Sequence, residues 1–182
     1  MCKQCNSNSV YEFTNQRKLC KNCFIEYFEK KTLYTIRKFH MIKNGDVIGY
    51  EDKKDFRSAV LKEILGILKT KAGIEISNKG ANKIAINSTI DSEADEITNI
   101  LIDKKVSDLN KVSPVENKII KPLFLFLDEE VLLYAKLRNL KFKKEKQKKN
   151  KISEFIDSLE KKHPEIKRAI VNSYLKIYNR EK

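Results

Sequence analysis

The chain has 182 residues, 41% of them hydrophobic and 35% charged, with a formal net charge of +13. That apolar fraction can bury a core, so wholesale disorder is excluded, and the length suits one ordinary domain with a small appendage. The positive surplus favours a polyanion such as nucleic acid, although a lysine-rich proteome would give an ordinary solvated surface of the same kind.

All four cysteines lie near the start, as Cys2-x-x-Cys5, fourteen residues, then Cys20-x-x-Cys23. Each knuckle turns two thiolates toward one ion, and two knuckles complete a tetrahedral site, so the pattern predicts a zinc ribbon. VYEF and the segment ending at Leu19 are expected to pair as a short hairpin between the knuckles. No apolar leader follows Met1 and no run of eighteen apolar residues occurs, so the expectation is a cytoplasmic protein without a membrane partner. In that setting paired CxxC motifs point to metal rather than disulfides. An iron–sulfur cluster uses the same four ligands and is the lesser alternative. A closed four-thiolate zinc site has no open position, so its expected role is structural.

Beyond the knot, apolar Phe24, Tyr27, Phe28, Ile36, Phe39 and Ile42 recur at helical spacing, predicting a helix from about Cys20 to Ile42 that Asn44-Gly45 ends. DVIGY (46–50) reads as a buried strand and EDKKD as a loop. A helix follows from Phe56 to about Lys71, carrying Val60, Leu61, Ile64, Leu65 and Leu68. KIAINS (83–88) reads as a second strand. A helix from Asp91 to about Ile102 comes next, with Asp91 and Ser92 placed to cap and charge its start. Strand–helix–strand–helix predicts parallel pairing in an α/β layer. IIKPLFLF (119–126) is apolar, and Pro122 restricts it to an edge strand or extended lead-in. LDEEVLLYAKLRNL is the next helix. KFKKEKQKKNK (141–151) carries seven lysines and one glutamate, a run expected to be solvated. One or two last helices, broken near His163-Pro164, carry Val171, Tyr174, Leu175 and Tyr178 as an apolar stripe.

No catalytic set is complete. GxSxG, HExxH and GxxxxGK[ST] are absent. His40 and His163 read as packed, surface or turn residues. The cluster Asp91, Glu93, Asp95 and Glu96 reads as ordinary dipole complementation in the first turns of a helix. The knot claims every thiol.

The order of features resembles the cytosolic tRNA 2-thiolation proteins of the PP-loop ATPase superfamily. A CxxC…LCxxCF knot leads into a helix and then GDVIGY, where catalytic members run on into an SGGKDS phosphate loop. Here the loop reads YEDKKDFRSAVL. Lys54-Asp55 resemble the KD pair, and Ser58-Ala59-Val60-Leu61 resemble the start of the following helix. KIAINSTIDSEADEITNIL resembles an ATGHNxDDEAET-like stretch, IIKPLFLFLDEEVLLYAKLRNLKF a KPL…E.EV..YA…L.F stretch, and SEFIDSLEKKHPEIKRAIVNSYLKI the helical tail.

The resemblance implies a truncated PP-loop core: an adenine nucleotide alpha-hydrolase-like, Rossmann-like parallel sheet between an N-terminal zinc ribbon and C-terminal helices. The expected divisions are 1–24 for the ribbon, 25–140 for the linking helix and degenerate PP-loop domain, and 141–182 for the basic segment and last helices. The departures carry the functional expectation. Asp52 and Lys53 stand where the loop has glycines, and a carboxylate there repels phosphate while a side chain blocks close approach of the backbone. Later cysteines of the catalytic members are missing. ATP is therefore not expected to bind at Asp52, Lys53, Lys54, Asp55 and Ser58, and no catalytic residue is assigned. The expectation is a pseudoenzyme: a non-catalytic subunit that stabilises a catalytic tRNA 2-thiolation paralogue, as heterodimer or heterotetramer, and helps bind tRNA. Arg17, Lys18, Lys21, Lys30, Lys31, Arg37 and Lys38 are the candidate RNA contacts, with the 141–151 run as a second basic element. Two other readings stay open: an active tRNA thiolase with an atypical phosphate loop, and a zinc-ribbon nucleic-acid binder unrelated to thiolation.

Overall fold

The computed structural model describes residues 1–143 and 150–178. The middle of the lysine run, 144–149, and the side chain of Tyr178 lie outside the described residues.

At the N-terminus, β1 (Tyr11–Glu12) and β2 (Lys18–Leu19) pair antiparallel, with Tyr11 opposite Leu19, and carry one CxxC at each end. This is the expected hairpin. α1 (Lys21–Lys38) follows at once. It stops short of Ile42, and Gly45 is not its cap. Instead His40 adopts the left-handed conformation (φ 50°), its amide donates to the Arg37 carbonyl, and the Met41 amide donates to the Ile36 carbonyl. These are the paired bonds of a Schellman ending. Met41 and Ile36 are both buried, and that apolar contact turns the chain before Gly45 is reached. Gly45 sits in the next turn, where its amide donates to the Gly73 carbonyl.

The sheet has order β4-β3-β5-β7-β6, formed by β3 (Val47–Tyr50), β4 (Glu75–Ile76), β5 (Lys83–Ala85), β6 (Val115–Glu116) and β7 (Ile119–Ile120). All neighbours are parallel except β6–β7. The helices are α2 (Phe56–Ala72), α3 (Ile90–Ile102), α4 (Asp128–Leu137), α5 (Lys151–Glu160) and α6 (Ile166–Tyr178), with a 3-10 helix at Val106–Val112. The expected α/β core with C-terminal helices is present. α2 ends on Gly73 in the left-handed region (φ 62°). Gly49 in β3 is required by close approach, since a Cβ there would lie 2.9 Å from Asn78 Oδ1.

Three local expectations change. α3 begins at Ile90, and Ser92 Oγ accepts the Thr89 amide, so Thr89 rather than Asp91 is the N-cap. Only Ile119–Ile120 of the IIKPLFLF run is a strand. It is interior, paired on both sides, because Pro122 falls just beyond the ladder and removes no bond from it. β4, β6 and the 3-10 helix have no counterpart in the sequence reading, because two-residue strands carry no readable period.

One apolar cluster joins Leu19, Phe24 and Phe28 of the ribbon and α1 to Ile48, Ala85 and Ile120 of the sheet and to α2 and α4. A second joins α3 and α6 through Ala94, Ile97, Val171 and Tyr174, with Phe124 beneath. Phe28 is central to the first. Its ring centroid lies 4.0 Å from that of Phe126 and 4.2 Å from that of Tyr134, both stacked. It clasps α1 to α4, so ribbon and sheet share one core. Phe28→Ala is expected to lower stability by about 3–5 kcal/mol in urea unfolding and to loosen ribbon and sheet together. Loss of the ribbon signals alone would show that the two units are independent.

Candidate functional site

From β3 the chain passes to β4 on one side, and then to β5 on the other. The strand order therefore reverses between β3 and β5, and the crevice beyond their carboxyl ends is where an open α/β sheet holds a ligand. The 51–55 loop leaves β3 there. Asp55 caps α2 by accepting the Ser58 amide at 2.7 Å. Ser58 Oγ accepts the Lys53 amide at 3.2 Å, and Asp52 Oδ1 accepts the Lys54 amide at 2.8 Å. Lys54 holds φ 60°. From the end of β5, Asn87 Nδ2 donates to Asp55 at 3.2 Å and to Ser58 Oγ at 2.9 Å. Asp55 and Ser58 are thus drawn into one closed network. The side chains of Asp52, Lys53 and Lys54 are exposed, and Lys53 lies 3.8 Å from Glu51. The amides of Lys53, Lys54 and Ser58 are thus taken by the chain's own oxygens.

The crevice opens into a cleft of about 1110 Å³ between the ribbon hairpin, the α3 and α4 N-termini, α5 and α6. Nine carboxylates line it against four cationic side chains. Lys167 of α6 projects among them. Its Nζ lies 2.8 Å from Asp91, 2.8 Å from Asp157 and 2.7 Å from Glu160. Burial works against its charge, but the three hydrogen-bonded carboxylates win and hold the ammonium well above the usual lysine range. Arg57 pairs with Asp128, whose carboxyl burial pushes up. Asp128 also accepts from Thr89 Oγ1, while its amide donates to Asp91. Ser153 Oγ donates to Asp95 at 2.5 Å, fixing α5 against α3.

The acidic cluster of α3 therefore does more than complement a dipole. Asp91 and Asp95 hold the last helices, and Glu93 is buried. Lys121 Nζ lies 3.0 Å from Glu93 Oε2 and donates also to the Lys111 carbonyl. Both partners of this pair are 5% exposed or less, so removing either would leave an uncompensated buried charge. Sequence reading missed Asn87, Asp128 and Lys167 as site residues. The one available signal was Asp91 at the start of the STIDSEAD stretch.

The four thiol sulfurs of Cys2, Cys5, Cys20 and Cys23 lie within 4.8 Å of one another, with 3.3 Å between Cys5 and Cys20 and 3.6 Å between Cys5 and Cys23. Burial opposes the Cys2 thiolate, yet the amides of Gln4, Cys20 and Cys5 outweigh it and bring the thiol down to about 6. Four converging thiols, one already favouring the thiolate, suit a metal ion. The residues fit that role.

No protein-family model matches the sequence, and no curated protein matches it. Among solved structures the fold is similar to the U34-tRNA thiolase NcsA from Methanococcus maripaludis with its 4Fe–4S cluster. The TM-score is 0.80 at 20% identity, over 97% of this chain and 86% of that one. At that identity the likeness is one of fold: a parallel α/β sheet with helices and an N-terminal cysteine cluster.

Within that fold the expected RNA contacts divide. Arg17 lies over the rings of Phe13 and Tyr27, at 4.3 and 4.9 Å. Lys31 lies over Phe126 at 4.4 Å and 3.6 Å from Glu130. Burial pushes Lys31 down to about 8 against the pull of Glu130. Glu130 is fully buried and also meets Arg168 at 3.0 Å. Arg17 and Lys31 thus serve the join between ribbon, α4 and α6, because stacked rings and a buried carboxylate draw them inward. Lys18 pairs with Glu12 at 3.1 Å. Lys21, Lys30, Arg37 and Lys38 are exposed on α1. Among the described residues, no helix is long and apolar enough to cross a membrane.

Proposed function

We propose that the chain is the non-catalytic subunit of a tRNA wobble-uridine 2-thiolation complex in the cytoplasm, stabilising a catalytic PP-loop paralogue and helping to hold tRNA. The fold likeness to a U34-tRNA thiolase supports the reaction class. The observation that carries the non-catalytic role is the Lys167 cage. A nucleotide would have to bring its phosphates into a carboxylate-rich cleft whose central cation is bound three times over. Coulomb repulsion at such short range opposes that approach, and the loop amides are already engaged. The chain also has no cysteine outside the ribbon to carry sulfur.

For the knot the reading is structural zinc. A zinc–sulfur bond of about 2.3 Å in tetrahedral geometry sets sulfurs about 3.8 Å apart. The separations of 3.3 and 3.6 Å lie near that value. An iron–sulfur cubane interposes iron and sulfide between its ligands and spreads them over a larger tetrahedron. Elemental analysis is expected to return one zinc per chain, and the protein to be colourless. Iron with visible absorbance would reverse the assignment.

Purification of the tagged chain from its native cells is expected to recover a second PP-loop protein with an intact glycine-rich phosphate loop, together with tRNA. Repeated recovery of the chain alone would contradict the subunit role.

A further inference from the structure

The solvent side of α1 carries Lys30, Tyr34 and Lys38 at four-residue intervals, which sets them in one row rising about 6 Å per step. Tyr34 is 55% exposed, and the Lys38 ammonium lies 6.0 Å from its ring centroid. Beside the row a pocket of about 380 Å³ opens between α1 and the first cysteine knuckle, lined by Gln4, Glu26, Tyr27, Lys30, Lys31 and Tyr34. Gln4 belongs to the Cys2-x-x-Cys5 turn, and its amide donates to Cys2 Sγ at 3.4 Å. That bond is from the backbone, so the cysteine knuckle fixes the backbone position from which the Gln4 side chain lines the pocket.

We infer that this pocket receives one unstacked base of a single-stranded RNA segment. The base stacks on Tyr34, the Gln4 side-chain amide meets its edge with a donor and an acceptor, and Lys30 and Lys38 take the flanking phosphates. The inference rests on the tRNA-binding part of the function proposed above and assigns it a place. An exposed ring between two ammonium groups suits a base between two phosphates, because stacking uses the π face and the charges follow the backbone. Only unpaired bases offer both faces and edges in this way. The charge of +13 favours an anionic strand over an apolar protein segment, and the pocket is lined by two tyrosines with lysine, glutamate and glutamine and by no aliphatic residue, which suits a flat base beside phosphates. Glu26 is the opposing group. It holds Lys30 at 2.5 Å in an exposed pair, which a phosphate displaces at little cost.

The test is anisotropy and quenching with a short single-stranded RNA that carries one fluorescent adenine analogue, alongside binding of unfractionated tRNA. Tyr34→Ala is expected to weaken both RNAs about ten-fold and to abolish quenching, while Tyr34→Phe keeps both. Neither variant should change the salt slope. Lys30→Gln and Lys38→Gln should each lower that slope and leave quenching intact. If the wild-type chain binds RNA and Tyr34→Ala binds and quenches equally well, the base pocket is wrong while the tRNA role stands. If Tyr34→Ala keeps RNA but loses a co-purifying protein, the face is a protein interface and the inference falls. If the wild-type chain binds no RNA, both fall.

Discussion

Three carboxylates from two helices converge on a single ammonium, that of Lys167. Asp91 comes from α3, and Asp157 and Glu160 from α5, while the lysine itself begins α6. Without it, the carboxylates at the mouth of the crevice would repel one another in a partly buried setting. With it, α5 and α6 are tied across the carboxyl end of the sheet. The ion cluster that ties down the last helices thus also lines the cleft. The closed loop network of Lys53, Asp55, Ser58 and Asn87 belongs to the same arrangement, because it satisfies the turn from within. A site built to grip phosphate leaves such groups open for the ligand.

The ribbon completes the other side of the molecule. Phe28 stacks between Phe126 and Tyr134, and Glu130 gathers Lys31 and Arg168 beneath it. These contacts make the metal knot a wall of the cleft, since Tyr11 and Phe13 of its hairpin line it. The sulfur of the chain is gathered at one end, in four converging thiols that could hold a metal ion. It holds a hairpin, a helix start and Gln4 in fixed relation.

What could be read from the sequence was what is local. The cysteine spacing, the hairpin between the knuckles, α2 after Asp55 and the strand at Val47–Tyr50 depend on neighbours a few residues apart. What could not be read depends on distant partners. Nothing near Lys167 announces Asp91, 76 residues away. A lysine in a basic list carries no sign of its direction, so Lys31 read like Lys30 although one is half-buried against Glu130 and the other exposed. His40 is an exposed histidine, one of the roles the sequence allows it, but the left-handed turn it makes had no local signal because burial of Met41 imposes it. The order β4-β3-β5, which places the crevice, rests on a two-residue strand with no periodic signal.

The central claim is that this crevice is closed to nucleotide by the protein's own charges. Isothermal titration of the intact chain with magnesium ATP addresses it most directly. The account predicts no saturable heat up to millimolar nucleotide. Saturable micromolar binding that is lost on Ser58→Ala would contradict it and restore the reading of a working phosphate loop.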